Sequence, residues 1–342
     1  MQKDKKSYKL QFVILIAAFA AAVLISVFLG RYTVSFTDFF RLIWSKIPGT
    51  DVVQTWPSAA ENVILLIRLP RIACAVLIGA ALSLAGICYQ GMFRNPMVSP
   101  DILGASTGAG FGASLAIILG AGYFTITSAS FVMGLAAVLL AYAVSRFSKT
   151  NETLAMILGG MVISSLFSAG TSFIKLVADT EEQLPAITYW LMGSLSSIKV
   201  ENLEFILIPM IIGMAPLFAL RWRLNLLTVE ENTSRSVGIN ITVLRLIVII
   251  CATLLTASSV SVSGMIGWVG LVIPHFTRMI FGYDYRRLVP ATALFGGTFL
   301  LIVDDVARLA TTQELPLGIL TSFIGCPLFL YLIFTGGGRR EQ

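Results

Sequence analysis

RWRLNLLTVEENTSRSVGIN, residues 221–240, is a polar island between two apolar runs. It carries Arg221, Arg223, Glu230, Glu231 and Arg235, and then Gly238. Charge of both signs followed by glycine is the pattern of a short exposed helix or turn with a defined stop. Such a stretch is either a solvated loop or a docking surface for a soluble partner on the cytoplasmic side. The sequence on either side of it decides which.

That sequence is membrane material. Of 342 residues, 56% are hydrophobic and only 12% charged, about half the charged fraction of a soluble domain. The four cysteines, Cys74, Cys88, Cys251 and Cys326, lie in apolar runs without metal-ligand spacing and read as small packing residues. The net charge of +6 would suit nucleic acid, but its placement follows membrane topology instead. No nucleic-acid partner is expected.

Outward from the island, the chain divides into ten apolar segments. A basic N-terminus precedes uncharged residues 10–29, long enough to cross a bilayer core of about 30 Å. No small-residue cleavage site closes that run, so it reads as a retained anchor helix. Residues 31–67, with Pro48, Gly49 and Pro57, read as an outer loop with an amphipathic piece. The second span is 72–93, with Ala75, Gly79 and Ser83 on one helical face. Residues 102–145 hold no charge and are too long for one span; GAGYFTITS, 120–128, divides them. Gly104, Gly108 and Gly112 form a ridge that admits another backbone, the way helices associate where lipid offers no hydrophobic drive.

The fifth span, 153–174, carries a stripe of Gly160, Ser164, Ser168 and Ser172, which is either helix packing or the wall of a translocation path. Within 179–199, YWLMGSL reads as a re-entrant or interfacial helix. The sixth span, 205–220, contains Pro209 and Pro216. Uncharged residues 246–277 must form two spans, with Gly264 and Gly267 at the turn; 288–303 and 315–334 complete the set. The fold class is thus an all-α integral membrane protein of about ten transmembrane helices, a single domain over 1–342. Ten spans put both termini on one side. The segments on that side hold 16 of the 24 Lys and Arg, so the positive-inside rule makes both termini and the 221–240 island cytoplasmic, in a cell (inner) membrane.

The sequence holds no GxxxxGK[ST], HExxH, GxSxG or Cys/His cluster, so no nucleotide site, resident cofactor, metal or membrane enzyme is expected. The single histidine, His275, follows Pro274 and reads as a helix-terminus hydrogen bonder. The centres of the spans are free of charge, against the habit of proton- and sodium-coupled carriers. Asp304 and Arg308, near the outer end of the ninth span, are spaced for an intrahelical pair. With no coupling ion visible, a separate cytoplasmic ATPase docked on the polar island would supply the energy. An ion-coupled secondary transporter is the alternative.

Three long blocks then carry a resemblance: RLPRIACAVLIGAALSLAGICYQGMFRNPMVSPDILGASTGAG from residue 68, SGMIGWVGLVIPHFTRMIFG from residue 263, and DDVARLATTQELPLGILTSFIGCPLFLYL from residue 304. From about residue 68 to its end the chain resembles the FecCD/BtuC-type permeases, membrane subunits of binding-protein-dependent ABC importers for iron–siderophores, haem and cobalamin. The resemblance implies a type II importer permease whose partners are two ATP-binding subunits, an extracytoplasmic substrate-binding protein, a second permease subunit in a homodimer or heterodimer, and membrane lipid. It implies a coupling loop at EENTSRSVG, with Glu230, Glu231, Ser234, Arg235 and Gly238; Ser234 and Val237 stand where Ala and Leu are usual. It places binding-protein docking on Arg68, Arg71 and Arg308, residues that could otherwise snorkel at helix ends. It lines the path with the fifth and tenth spans, through Gly160, Ser164, Ser168, Ser172, Gly318 and Ser322, with an inner gate near Thr150 and Asn151. The implied solute is ferric siderophore or a related metal chelate.

Overall fold

The computed structural model describes residues 2–47, 49, 53–148, 152–229 and 239–336. Among these, every regular element is helical. The helices are α1 Gln2–Phe28, α2 Phe36–Ser45, α3 Ser58–Met92, α4 Ala105–Ile118, α5 Tyr123–Phe147, α6 Glu152–Val177, α7 Gln183–Met192, α8 Val200–Ala219, α9 Ile241–Ser263, α10 Val269–Phe281, α11 Tyr285–Leu309 and α12 Leu317–Gly336. Seven of them are long and apolar enough to cross a membrane, and α4, α10 and α12 are shorter apolar helices. Together these ten coincide with the ten expected spans, while α2 is the expected amphipathic piece of the outer loop.

Two of the ten depart from full-length spans. α4 has 14 residues and α10 has 13, about 20 Å each at 1.5 Å per residue. The missing length is irregular chain: the 3₁₀ turn Pro100–Leu103 before α4 and residues 264–268 before α10. Gly104, at φ 85°, and Gly264, at φ 68°, take left-handed backbone that interrupts the helix at those points. Non-helical backbone at membrane depth is tolerated only where protein covers it or it lines a cavity, and both segments meet that condition below.

α3 is the axis of the molecule. From Ile72 to Met92 nearly every α3 side chain is buried, whereas the equally apolar α1 is mostly open to lipid. The face of Ala75, Gly79 and Ser83 is only one of its contact surfaces. A Cβ on Gly79 would strike the Gly296 carbonyl of α11, and one on Gly86 would strike the Gly270 carbonyl of α10. α9 closes a third side, where the Tyr89 hydroxyl lies 3.3 Å from Thr253 Oγ1.

The glycine ridge of α4 divides by function. A Cβ on Gly108 would lie 2.6 Å from the Met133 carbonyl oxygen and from Ala137 Cβ, and one on Gly112 would lie 2.8 Å from Met133 Cβ; both glycines let α5 approach. Gly104 does not join them. It precedes α4 as its N-cap, and its Cα faces Ser164 of α6.

Candidate translocation groove

α7 runs back along α4. Gln183 Nε2 donates to the Ile118 carbonyl at the end of α4, 3.2 Å, and Leu191 reaches Gly110 in its middle. The helix is therefore re-entrant, as the YWLMGSL stretch suggested. Its C-terminal end is locked to two other segments. Ser194 N donates to the Ser263 carbonyl, 2.7 Å, and Leu317 N donates to the Gly193 carbonyl, 2.8 Å. A Cβ on Gly318 would lie 2.5 Å from the Met192 carbonyl oxygen, so only glycine lets α12 start this close to α7.

This junction walls an open groove. The inner part, about 670 Å³, is lined by Met192, Met265, Gly318, Ser322, Phe323 and Cys326, among others. An outer part, about 740 Å³, lies between α7 and residues 311–316 and includes Thr188, Tyr189 and Glu314. The two parts share Met192 and Ile319 and so run into one another along α12. The wall is apolar with scattered hydroxyls, and Glu314 is the one charged residue lining either part. Such a surface offers few groups that would hold a solute tightly.

The expected path residues separate on this geometry. Gly318 and Ser322 line the groove. Gly160 does not: it packs on the Ile102 carbonyl, while Ser164 meets Gly104, so both are packing residues of the α6 contact with the 3₁₀ turn. Ser168 and Ser172 are exposed on α6, outside both parts of the groove. The reason is rotational. Residues spaced by four drift round a 3.6-residue helix, and the stripe passes from a packed face to an open one. Thr150 and Asn151 lie outside the described residues. Sequence reasoning missed Met192, Met265 and Cys326 as lining residues. The re-entrant helix and the Gly264–Gly267 turn were both readable, but nothing in their spacing says that they meet.

Trp268 holds the groove's floor from the far side. It has φ 68°, a strained conformation for a bulky residue. Its side chain lies over Gly325 and meets the Phe329 ring edge-on at 6.0 Å, which joins the head of α10 to α12.

The outer end of α3 and α11 carries an internal ion-pair cluster. Arg71 donates to both oxygens of Asp304 through Nε and Nη2, at 2.8–3.1 Å, and through Nη1 to Glu314, 3.0 Å. Arg308 pairs with Asp305 one turn away and donates to Ser26 Oγ of α1, 2.9 Å. Arg68 donates to the Val27 carbonyl, 2.8 Å, and to that of Tyr32. The near partner of Asp304 is Arg71, across 233 residues, while its i,i+4 pair with Arg308 is present at 4.0 Å. Arg68, Arg71 and Arg308 are 4–7% exposed and bond to internal acceptors, so they clasp α1, α3 and α11.

Residues 16–335 match the family model of the FecCD transport family. The chain belongs to that family. The molybdate import system permease protein MolB of Haemophilus influenzae is 39% identical over 319 residues, 93% of this chain and 94% of that protein. A probable iron chelatin transport system permease protein of Helicobacter pylori is 41% identical over 283 residues, 82% of this chain and 85% of that protein. A solved inward-facing structure of a metal-chelate-type ABC transporter superposes with a TM-score of 0.84 at 38% identity, covering 96% of this chain and 99% of that one.

This FecCD chain is a multi-pass permease of the inner membrane, a transport subunit in the manner of metal-chelate ABC importers, which work with separate ATPase and binding-protein partners. Of the loop expected to couple to an ATPase, Glu230, Glu231, Ser234, Arg235 and Gly238 lie outside the described residues. Its two flanks are described. On one side the 3₁₀ turn Arg223–Leu227 buries Leu224 and Leu227. On the other, Asn240 caps α9 by accepting from Val243 N, 3.2 Å. Both flanks are thus tied into the helices beside them.

Proposed function

We propose that this FecCD permease forms one half of a channel whose path is the α7–α12 groove. The observation that carries the reading is that the groove is open along its length: one chain supplies one wall, so a second permease subunit, identical or closely related, completes it. Two cytoplasmic ATPases dock on the EENTSRSVG loop, through Glu230, Glu231, Ser234, Arg235 and Gly238, and both termini share their side. The chain has no nucleotide site of its own. An external binding protein delivers the solute to the outer mouth around Glu314. Thr150 and Asn151, just before α6 in sequence, form the inner gate.

The solute is a ferric siderophore or related metal chelate. The nearly uncharged wall suits a metal already wrapped in an organic ligand; molybdate, which one relative's name carries, is the competing solute. Two measurements test this in proteoliposomes holding the permease, its ATPase and its binding protein. Uptake of a ⁵⁵Fe–hydroxamate chelate should require ATP and survive an ionophore. Molybdate uptake in the same vesicles, or uptake abolished by the ionophore alone, would overturn it. Charge reversal at Glu231 and Arg235 should release the ATPase on purification; intact co-purification and uptake would refute the docking site.

A further inference from the structure

At the inner end, one side chain outside the coupling loop bridges that loop's flank to a transmembrane helix 60 residues away in sequence. Asn225 sits in the Arg223–Leu227 turn, just before the loop. Its amide uses both ends. Oδ1 accepts the Tyr285 backbone N–H, 3.0 Å, and Nδ2 donates to Asp284 Oδ1, 3.1 Å. Asp284 is the N-cap of α11 and also accepts from Arg286 N, 3.0 Å. Asn225 therefore satisfies an N–H that the helix leaves open at its first residue and grips the cap beside it. The same turn is held to the chain just after α3, where Arg94 Nε donates to the Leu227 carbonyl, 3.3 Å.

α11 is a good lever for such a grip. Its first residue, Tyr285, is buried, and its hydroxyl donates to the Ile87 carbonyl of α3, 3.1 Å. Its far end holds Asp304, Asp305 and Arg308, and the chain beyond it, residues 311–316, forms the outer mouth of the groove before turning into α12. A displacement of the Asn225 turn is thus delivered to the head of one continuous helix whose other end borders the path. We infer that Asn225 is a positioning residue that transmits movement of the ATPase-docking segment to α11 and so to the groove. The inference rests on the reading of the EENTSRSVG loop as that segment. An amide donates and accepts at once from two separate atoms, which is what the Asp284 carboxylate and the Tyr285 N–H together demand.

Cys326 reports on the groove. It is the exposed cysteine of the four, the other three being buried, and it adjoins Gly325, which carries the Trp268 ring. A bimane label on Cys326 lies within reach of indole quenching. The experiment uses the full permease assembled with its ATPase in nanodiscs and compares ATP hydrolysis with the bimane response to ATP plus vanadate. Wild type should show a clear change in emission. Asn225→Ala should keep ATP hydrolysis within about twofold and lose more than half of the emission change. Asn225→Asp, which sets two carboxylates against each other, should lose at least as much. The exchanged pair Asn225→Asp with Asp284→Asn puts the donor on the opposite partner and should restore most of the response. An undiminished response in Asn225→Ala, or an exchanged pair no better than Asn225→Asp, overturns the inference. So does a variant whose only defect is a lowered melting temperature, with a normal response in the folded fraction. No response in wild type sinks the docking-segment reading itself, a separate failure.

Discussion

Asp304 shows what a single carboxylate does in this protein. It is fully buried, and three donor contacts from Arg71 surround it. A charge in such a place is tolerated only when paired, and removing one partner strands the other. Asp304→Ala should therefore lower stability by about 3–5 kcal/mol, seen as a large fall in melting temperature of the purified permease. Arg71→Met with Asp304→Leu should recover part of the loss, because both deeply buried charges are then removed and only the part-exposed Glu314 loses its partner. Cys326 is the second residue-scale test. Its thiol is exposed while Cys74, Cys88 and Cys251 are buried, so maleimide should label the isolated chain at Cys326 first; mass mapping that found another cysteine modified equally fast would contradict the packing. The presence of these residues was plain from the sequence. The partner of Asp304 was not, because i,i+4 spacing is a local rule and Arg71 reaches it only through the packing of α3 against α11.

At the scale of the helix, α4 and α5 are held at a distance set by Gly108 and Gly112. Gly108→Leu would drive a side chain into the Met133 carbonyl and Ala137 and should sharply reduce folded yield. Gly122→Ala, at a glycine with open space around it and ordinary backbone, should change the melting temperature by no more than a degree or two and serves as the control. Gly104→Ala falls between, costing about 1 kcal/mol for its left-handed backbone, with Ser164 close by. The ridge was legible as a repeat of three glycines. That the first belongs to a cap and the other two to an interface depends on where α4 begins, and the boundary is set by Pro100–Leu103 folding as a 3₁₀ turn inside the protein.

Across the whole molecule, the groove depends on three segments far apart in the chain: α7, residues 264–268 and α12. Ser322 projects into it and bonds back to its own helix at the Gly318 carbonyl, 2.7 Å, so its hydroxyl has no structural partner elsewhere. Ser322→Trp should fill the passage and cut chelate uptake by more than tenfold, with assembly and ATP hydrolysis retained. Ser168→Trp, on the exposed face of α6 outside the groove, should leave uptake within about twofold unless the second subunit seats there, an outcome that cross-linking at position 168 would reveal.

What the linear chain decided is one-dimensional. Runs of apolar residues, broken by charge and glycine, were enough for ten membrane helices, for the bias of Lys and Arg to one side, and for the family, because each depends on residues near one another in sequence. Tertiary packing decided the rest: the half-length of α4 and α10, the turn of α7 back along α4, Arg71 rather than Arg308 as the close partner of Asp304, and Asn225 reaching the cap of α11. In a bilayer, hydrophobicity drives every span into lipid alike and does not choose its neighbours. Which faces meet is settled by close backbone approach at glycines and by buried polar groups finding partners, and those depend on positions that no spacing along the chain specifies.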